Sequence, residues 1–222
     1  MLAGTLAFSS SATAATLIGN LPQNRDFYSF NIQPSESEAL SFTLPTGSNY
    51  NLDNIILRLE SYQSSADTPK LQIYADSAKT STSPNGTTLQ SVTFANPTST
   101  SAAVGNFTFT PNSAFTFLAD TRYWLRLSNS TDFLSWKGSE PVITPTGIPG
   151  ITFNSSKISL NNGASYLDVN PIPTFQINAT AAGAATAVPE PTSLPGYITL
   201  LGGLLAARKI VKSRAAKKVE FK

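Results

Sequence analysis

Apolar residues recur at every second position through most of residues 16–178, and that spacing is the tightest constraint on what this chain can fold into. A period of two puts alternate side chains on opposite faces of an extended strand. In "DNIILRLES", Ile55, Leu57 and Leu59 share one face, and Ile56, Arg58 and Glu60 share the other. "ALSFTLP" puts Leu40, Phe42 and Leu44 on one side, with Ser41 and Thr43 opposite. "KLQIYAD" turns Leu71 and Ile73 inward and Gln72 and Tyr74 outward. "GNFTFTP" buries Phe107 and Phe109, and "PTFQINA" closes the pattern with Phe175 and Ile177. Weaker strands are expected at 26–32, 88–95, 114–118, 133–136, 151–153 and 165–169. Between them lie "TGSN", "SPNGT", "TPNSA", "TPTGIPG" and "LNNGA", residues suited to tight turns. No stretch before residue 194 carries a useful helical period. The expectation is an all-β fold, a β-sandwich of jelly-roll type, with a barrel as the alternative.

Two absences narrow the chemistry. The 222 residues contain no cysteine and no histidine. Disulfides, thiolate metal sites, cysteine nucleophiles, the Ser-His-Asp triad and the commonest zinc ligand are thereby excluded. Carboxylate pairs, serine-lysine sites and oxygen-ligand metal sites survive.

Charge divides the chain. Seven of the fifteen basic residues follow Ala207. Residues 16–187 hold eight basic and eleven acidic residues, a net charge of −3. The body is mildly acidic, so no nucleic-acid partner is expected.

Both ends read as processing segments. "ATAA" at Ala12–Ala15 fits a small-x-small signal-peptidase site, so 1–15 is expected to be a clipped secretory signal. A basic n-region is missing ahead of it, and the alternative is a strand lead-in. Residues 179–193 are rich in Ala, Thr and Pro and read as a flexible linker. The apolar segment 194–211 contains Pro195, Gly196, Gly202 and Gly203. It is about a minimal span, set against the ~20 residues of a lone transmembrane helix. The cations behind it, in a basic tail over 212–222, fit a cytoplasmic flank. The body would then lie outside.

Val188, Pro189, Glu190 and Pro191, the apolar segment, and the basic stop at Arg208 and Lys209 together resemble a PEP-CTERM sorting signal. The resemblance implies export, recognition by an exosortase, transient anchoring in the inner membrane, and delivery to the cell surface or extracellular polymer. "EALSFTLPTGSNYNLDNIILRLES" and "FTFLADTRYWLRLSNSTDFLSW" resemble two blocks of the choice-of-anchor R domain. That resemblance implies an exported β-sandwich and carries no catalytic residue.

Candidate contacts within the body are few. In "TRYWLRLS", Trp124 shares a face with Arg122 and Arg126, away from Tyr123, Leu125 and Leu127. An outward indole between two guanidinium groups is how a sugar ring can be stacked and its hydroxyls bonded. Tyr74, Arg58 and Ile56 are candidates for similar outward rows. The competing reading is an indole covered by a loop, with the arginines in surface ion pairs. Trp136 in "DFLSWKG" reads as a loop plug over one end of the sandwich.

Carboxylates at Asp53, Glu60, Asp67, Asp76, Asp120, Asp132, Glu140 and Asp168 are scattered, and no spacing selects a catalytic pair. No cofactor is expected. "NYNLDN" and "SYLDVN" supply oxygens for a structural Ca²⁺ without matching a fixed ligand spacing. The sequons at Asn85, Asn106, Asn129, Asn154 and Asn178 read as composition.

Three functions compete. The first is an exported, non-catalytic protein of the cell surface or matrix. The second is a carbohydrate-binding module acting on extracellular polysaccharide. The third is a polysaccharide-cleaving enzyme with a carboxylate pair.

Overall fold

The computed structural model describes residues 14–63, 68–84, 92–128 and 133–183. Residues 1–13 of the expected leader, the linker beyond Gly183, the sorting motif, the apolar segment and the basic stop lie outside the described residues. Both expected boundaries are corrected: Ala15, expected in the leader, and residues 179–181, expected in the linker, are strand, with Ala15 paired to Ala179 and Thr180 and Ala181 paired to Asn51 and Tyr50. The described chain is the expected all-β sandwich, two antiparallel sheets packed face to face.

One sheet has nine strands. They are β1 (Ala15–Gly19), β2 (Asp26–Ile32), β4 (Tyr50–Glu60), β6 (Phe94–Ala95), β7 (Gly105–Pro111), β8 (Thr116–Phe117), β10 (Leu134–Ser139), β11 (Thr146–Gly147) and β14 (Phe175–Ala181). The other has five: β3 (Ser37–Thr43), β5 (Lys70–Asp76), β9 (Arg122–Ser128), β12 (Thr152–Ser159) and β13 (Leu167–Asp168). Its order is β13-β12-β3-β9-β5.

The long strand β4 organises the larger sheet. β14 pairs along Tyr50–Leu57 and β10 continues that side at Leu59 and Glu60, while β8 and β7 occupy the other side. Its inward residues therefore sit in cross-strand rows. Ile177, Ile55 and Phe109 form one row, and Phe175, Leu57 and Phe107 form the next. All six are buried. Facing them are Phe42 beside Tyr123 and Leu40 between β12 and Leu125, from the smaller sheet. Phe117 meets Tyr123 edge-on at 5.0 Å and Phe42 at 5.8 Å. Each such buried side chain contributes about 1.5–3 kcal/mol.

Alternation located β2, β3, β4, β5, β7, β9 and β14 well. β1 and the short β11, which falls within "TPTGIPG", were not among the expected strands, and two further strands differ from expectation. β12 runs eight residues, Thr152–Ser159, where only 151–153 was expected. Its small polar residues hide the pattern because its outward side chains meet other polar groups: Ser155 Oγ lies 2.8 Å from Ser41 Oγ, and Lys157 pairs with Asp168.

The second difference corrects the reading of Trp136. It is no loop plug. It lies within β10, between Phe30 of β2 and Leu59 of β4, and is wholly buried. Its indole N–H donates to the Thr174 carbonyl at 2.9 Å. All six residues of β10 are buried, which removes the exposed face that alternation would need.

Candidate functional site

The outward face of the smaller sheet is where the sequence placed its candidate contacts. Register sets the rows. Asp76, Arg122 and Thr43 lie side by side across β5, β9 and β3. Tyr74, Trp124 and Ser41 form the next row, and Gln72, Arg126 and Ala39 the third. Trp124 thus shares a face with both arginines, as its parity required, and Tyr74 is its direct neighbour. Arg58 and Ile56 do not join them, because β4 belongs to the other sheet.

Trp124 is not an exposed platform. Only 1% of it is accessible. It packs with Ala39 and Tyr74 beneath Tyr166. The cover is the segment between β12 and β13. Asn162 N donates to the Ser35 carbonyl at 2.6 Å, Gly163 N to Ser159 Oγ at 2.8 Å, and the Tyr166 hydroxyl lies 3.4 Å from Ser37 Oγ. The covered-indole reading is the one the structure bears out. A sugar ring has no indole face to stack on here.

The arginines are likewise engaged. Arg122 donates from Nε to Asp76 Oδ2 at 2.9 Å, reaches the Ser81 carbonyl, and places its guanidinium carbon 5.8 Å from the Trp124 ring centre. Arg126 donates to the Tyr74 hydroxyl at 3.4 Å, and that hydroxyl donates to Gln72 at 3.1 Å. Burial pushes the Tyr166 phenol up, so it stays neutral.

Gly163 ties the cover to this row. Its φ is +85°, and a Cβ there would lie 2.8 Å from an Arg126 terminal nitrogen. We expect Gly163→Ala to cost about 1–2 kcal/mol. A lowered melting temperature with red-shifted tryptophan emission checks this, since Trp136 stays buried.

The remaining candidates are spent on structure. Asp53 accepts from Thr180, Glu60 from Lys137, Asp168 from Lys157, Asp120 from Lys79 and Glu140 from Arg25. Asp67 and Asp132 lie outside the described residues. Among the described residues, no three acidic side chains gather where they could hold a metal ion. In "NYNLDN", Asn49 accepts from Ala119 N, Asn51 from Thr116 and Asn54 from Asn178. Those oxygens serve neighbouring strands. Asp26 holds Arg58 at 2.7 and 3.0 Å, and the bond to that guanidinium draws the Asp26 carboxyl below its ordinary value.

One group was missed. Glu38 has the parity of Leu40 and Phe42 and so points inward. It lies across from Leu127 and Ile158 and is fully buried. One oxygen accepts from Ser156 Oγ at 3.0 Å, and the other has no partner. Burial pushes its carboxyl well above the ordinary 4.5. Extending the "ALSFTLP" alternation back by two residues from Leu40 would have found it.

No protein-family model matches the chain, and no curated protein matches it either.

Proposed function

We propose that this is an exported, non-catalytic protein of the cell surface or extracellular matrix, sorted by an exosortase through its PEP-CTERM-like tail. The observation that carries the proposal is where the chain enters and leaves the sandwich. β1 and β14 are neighbouring antiparallel strands, with Ala15 opposite Ala179. Ala181 lies opposite Tyr50, and Ala182 N donates to the Asn49 carbonyl. The first and last described strands therefore meet the rest of the chain at one end of the domain. The turn after β2 and the segment after β12 lie at the other end. A domain tied at one end presents the opposite end outward, which suits a body held at a membrane during sorting.

The charge pattern supports the same partners. Arg25, Arg58, Lys79, Arg122, Lys137 and Lys157 each pair with a carboxylate, six of the eight basic residues of the body. An acidic body with its cations engaged favours no nucleic-acid partner and leaves the tail cations to topology.

Cell fractionation tests the proposal. Processed protein is expected in the surface or extracellular fraction, with a full-length form in the inner membrane. Full-length protein soluble in the cytoplasm would overturn it.

A further inference from the structure

The burial of Trp124 moves any sugar contact elsewhere, and the smaller sheet has one open edge with suitable chemistry. β12 is paired with β3 along Thr152–Ser159. On its other side, β13 pairs only with Lys157 and Ile158, and Val169 N donates to the Ser156 carbonyl at 3.0 Å. Among the described residues, 152–155 therefore have no strand paired on that side.

A trough of about 520 Å³ runs beside that edge. Val142, Thr144, Asp168, Val169, Asn170 and Ile172 line it together with β12. The volume falls within the ~300–1,000 Å³ of small-molecule sites.

We propose that this trough binds a short stretch of neutral oligosaccharide. Its lining combines the two kinds of surface that a pyranose needs. Val142 is 39% exposed, and Phe153 and Ile172 are half-buried, so apolar surface is available to ring C–H faces. Thr144 and Asn170 are exposed, and their side chains make no hydrogen bond within the described protein, so their donors and acceptors are available to ring hydroxyls. The one charged group in the lining, Asp168, is paired with Lys157. Among the described residues that line the trough there is no cation for a phosphate or carboxylate, and a body of charge −3 repels polyanions.

This inference stands apart from the export reading, because the binding test uses purified protein and says nothing of location. The test is a printed array of neutral and acidic oligosaccharides, followed by calorimetric titration of the best neutral binder. Binding to neutral glycans is expected, weakened at least tenfold in Val142→Asp/Asn170→Ala. Both residues are exposed, so the variant's melting temperature should stay within a few degrees of the parent. Absence of neutral-glycan binding, binding confined to acidic glycans, or undiminished binding in the folded double variant would overturn the assignment. Preferential capture of extended peptides would overturn it too, since a free strand edge can also accept a peptide strand.

Discussion

Trp124→Ala is expected to lower the unfolding free energy by about 3–5 kcal/mol, the cost of emptying a large buried aromatic site. With about 2–4 °C lost per kcal/mol in a domain of this size, the melting temperature should fall on the order of 10 °C. The reason is the cover. Trp124 has Tyr74 beside it, Tyr166 above it and the Arg122 guanidinium 5.8 Å from its ring centre. Its indole nitrogen is buried without a partner, whereas that of Trp136 donates to Thr174. Phenylalanine should therefore be tolerated better at 124 than at 136, where it would also remove a buried hydrogen bond worth about 0.5–1.5 kcal/mol, leaving the Thr174 carbonyl with its bond from Arg58 N. Chemical denaturation of Trp124→Ala, Trp124→Phe and Trp136→Phe checks both statements. A Trp124→Ala protein as stable as its parent would mean that the 160–166 segment does not cover this face.

Glu38→Gln is expected to stabilise the protein at neutral pH and to flatten its pH dependence. The folded carboxyl titrates well above 4.5, so the native state holds this proton more tightly than the unfolded chain. Stability is then fullest below the unfolded value. It falls as pH rises, by about 1.4 kcal/mol per pH unit for one proton, until the folded carboxyl itself ionises. Glutamine keeps the shape and the Ser156 contact without the titration. The groups around the carboxyl do not offset it. Leu127 and Ile158 flank it on β9 and β12, and Tyr166 is neutral. Asp26 works in the opposite direction, because its lowered value gives stability that is lost as pH falls through the acid range. The difference between parent and variant, followed by urea unfolding from pH 4 to 8, isolates Glu38. Parallel curves would contradict its burial.

Much of this architecture was legible from alternation alone, because most strands have one apolar face. Ile55, Leu57 and Leu59 face the core as their spacing required. The same rule gave Trp124 the right side of β9, but alternation cannot tell solvent from a covering segment. What covers Trp124 comes from residues 160–166, about forty positions later in the chain, and its turn is built on Asn162 and Gly163 with positive φ. "LNNGA" announced a turn without announcing where it folds. Trp136 was misread for a related reason. Ser135, Lys137 and Ser139 look like an exposed face, yet all three are buried, Lys137 by bonds to Ser29 and Glu60. The trough beside β12 left no mark in sequence, since it is assembled from residues 142–144, 153–156 and 168–172.

The central claim is that this sandwich is delivered outside the cell through processing at both ends. Intact-mass spectrometry of protein released from the cell surface tests it most directly. The account predicts a species that begins near Ala15 or Thr16 and ends near the Val188–Pro191 motif, lacking the apolar segment and the basic tail. A cell-associated species retaining both the first fourteen residues and the tail through Lys222, with no shorter form outside, would contradict it.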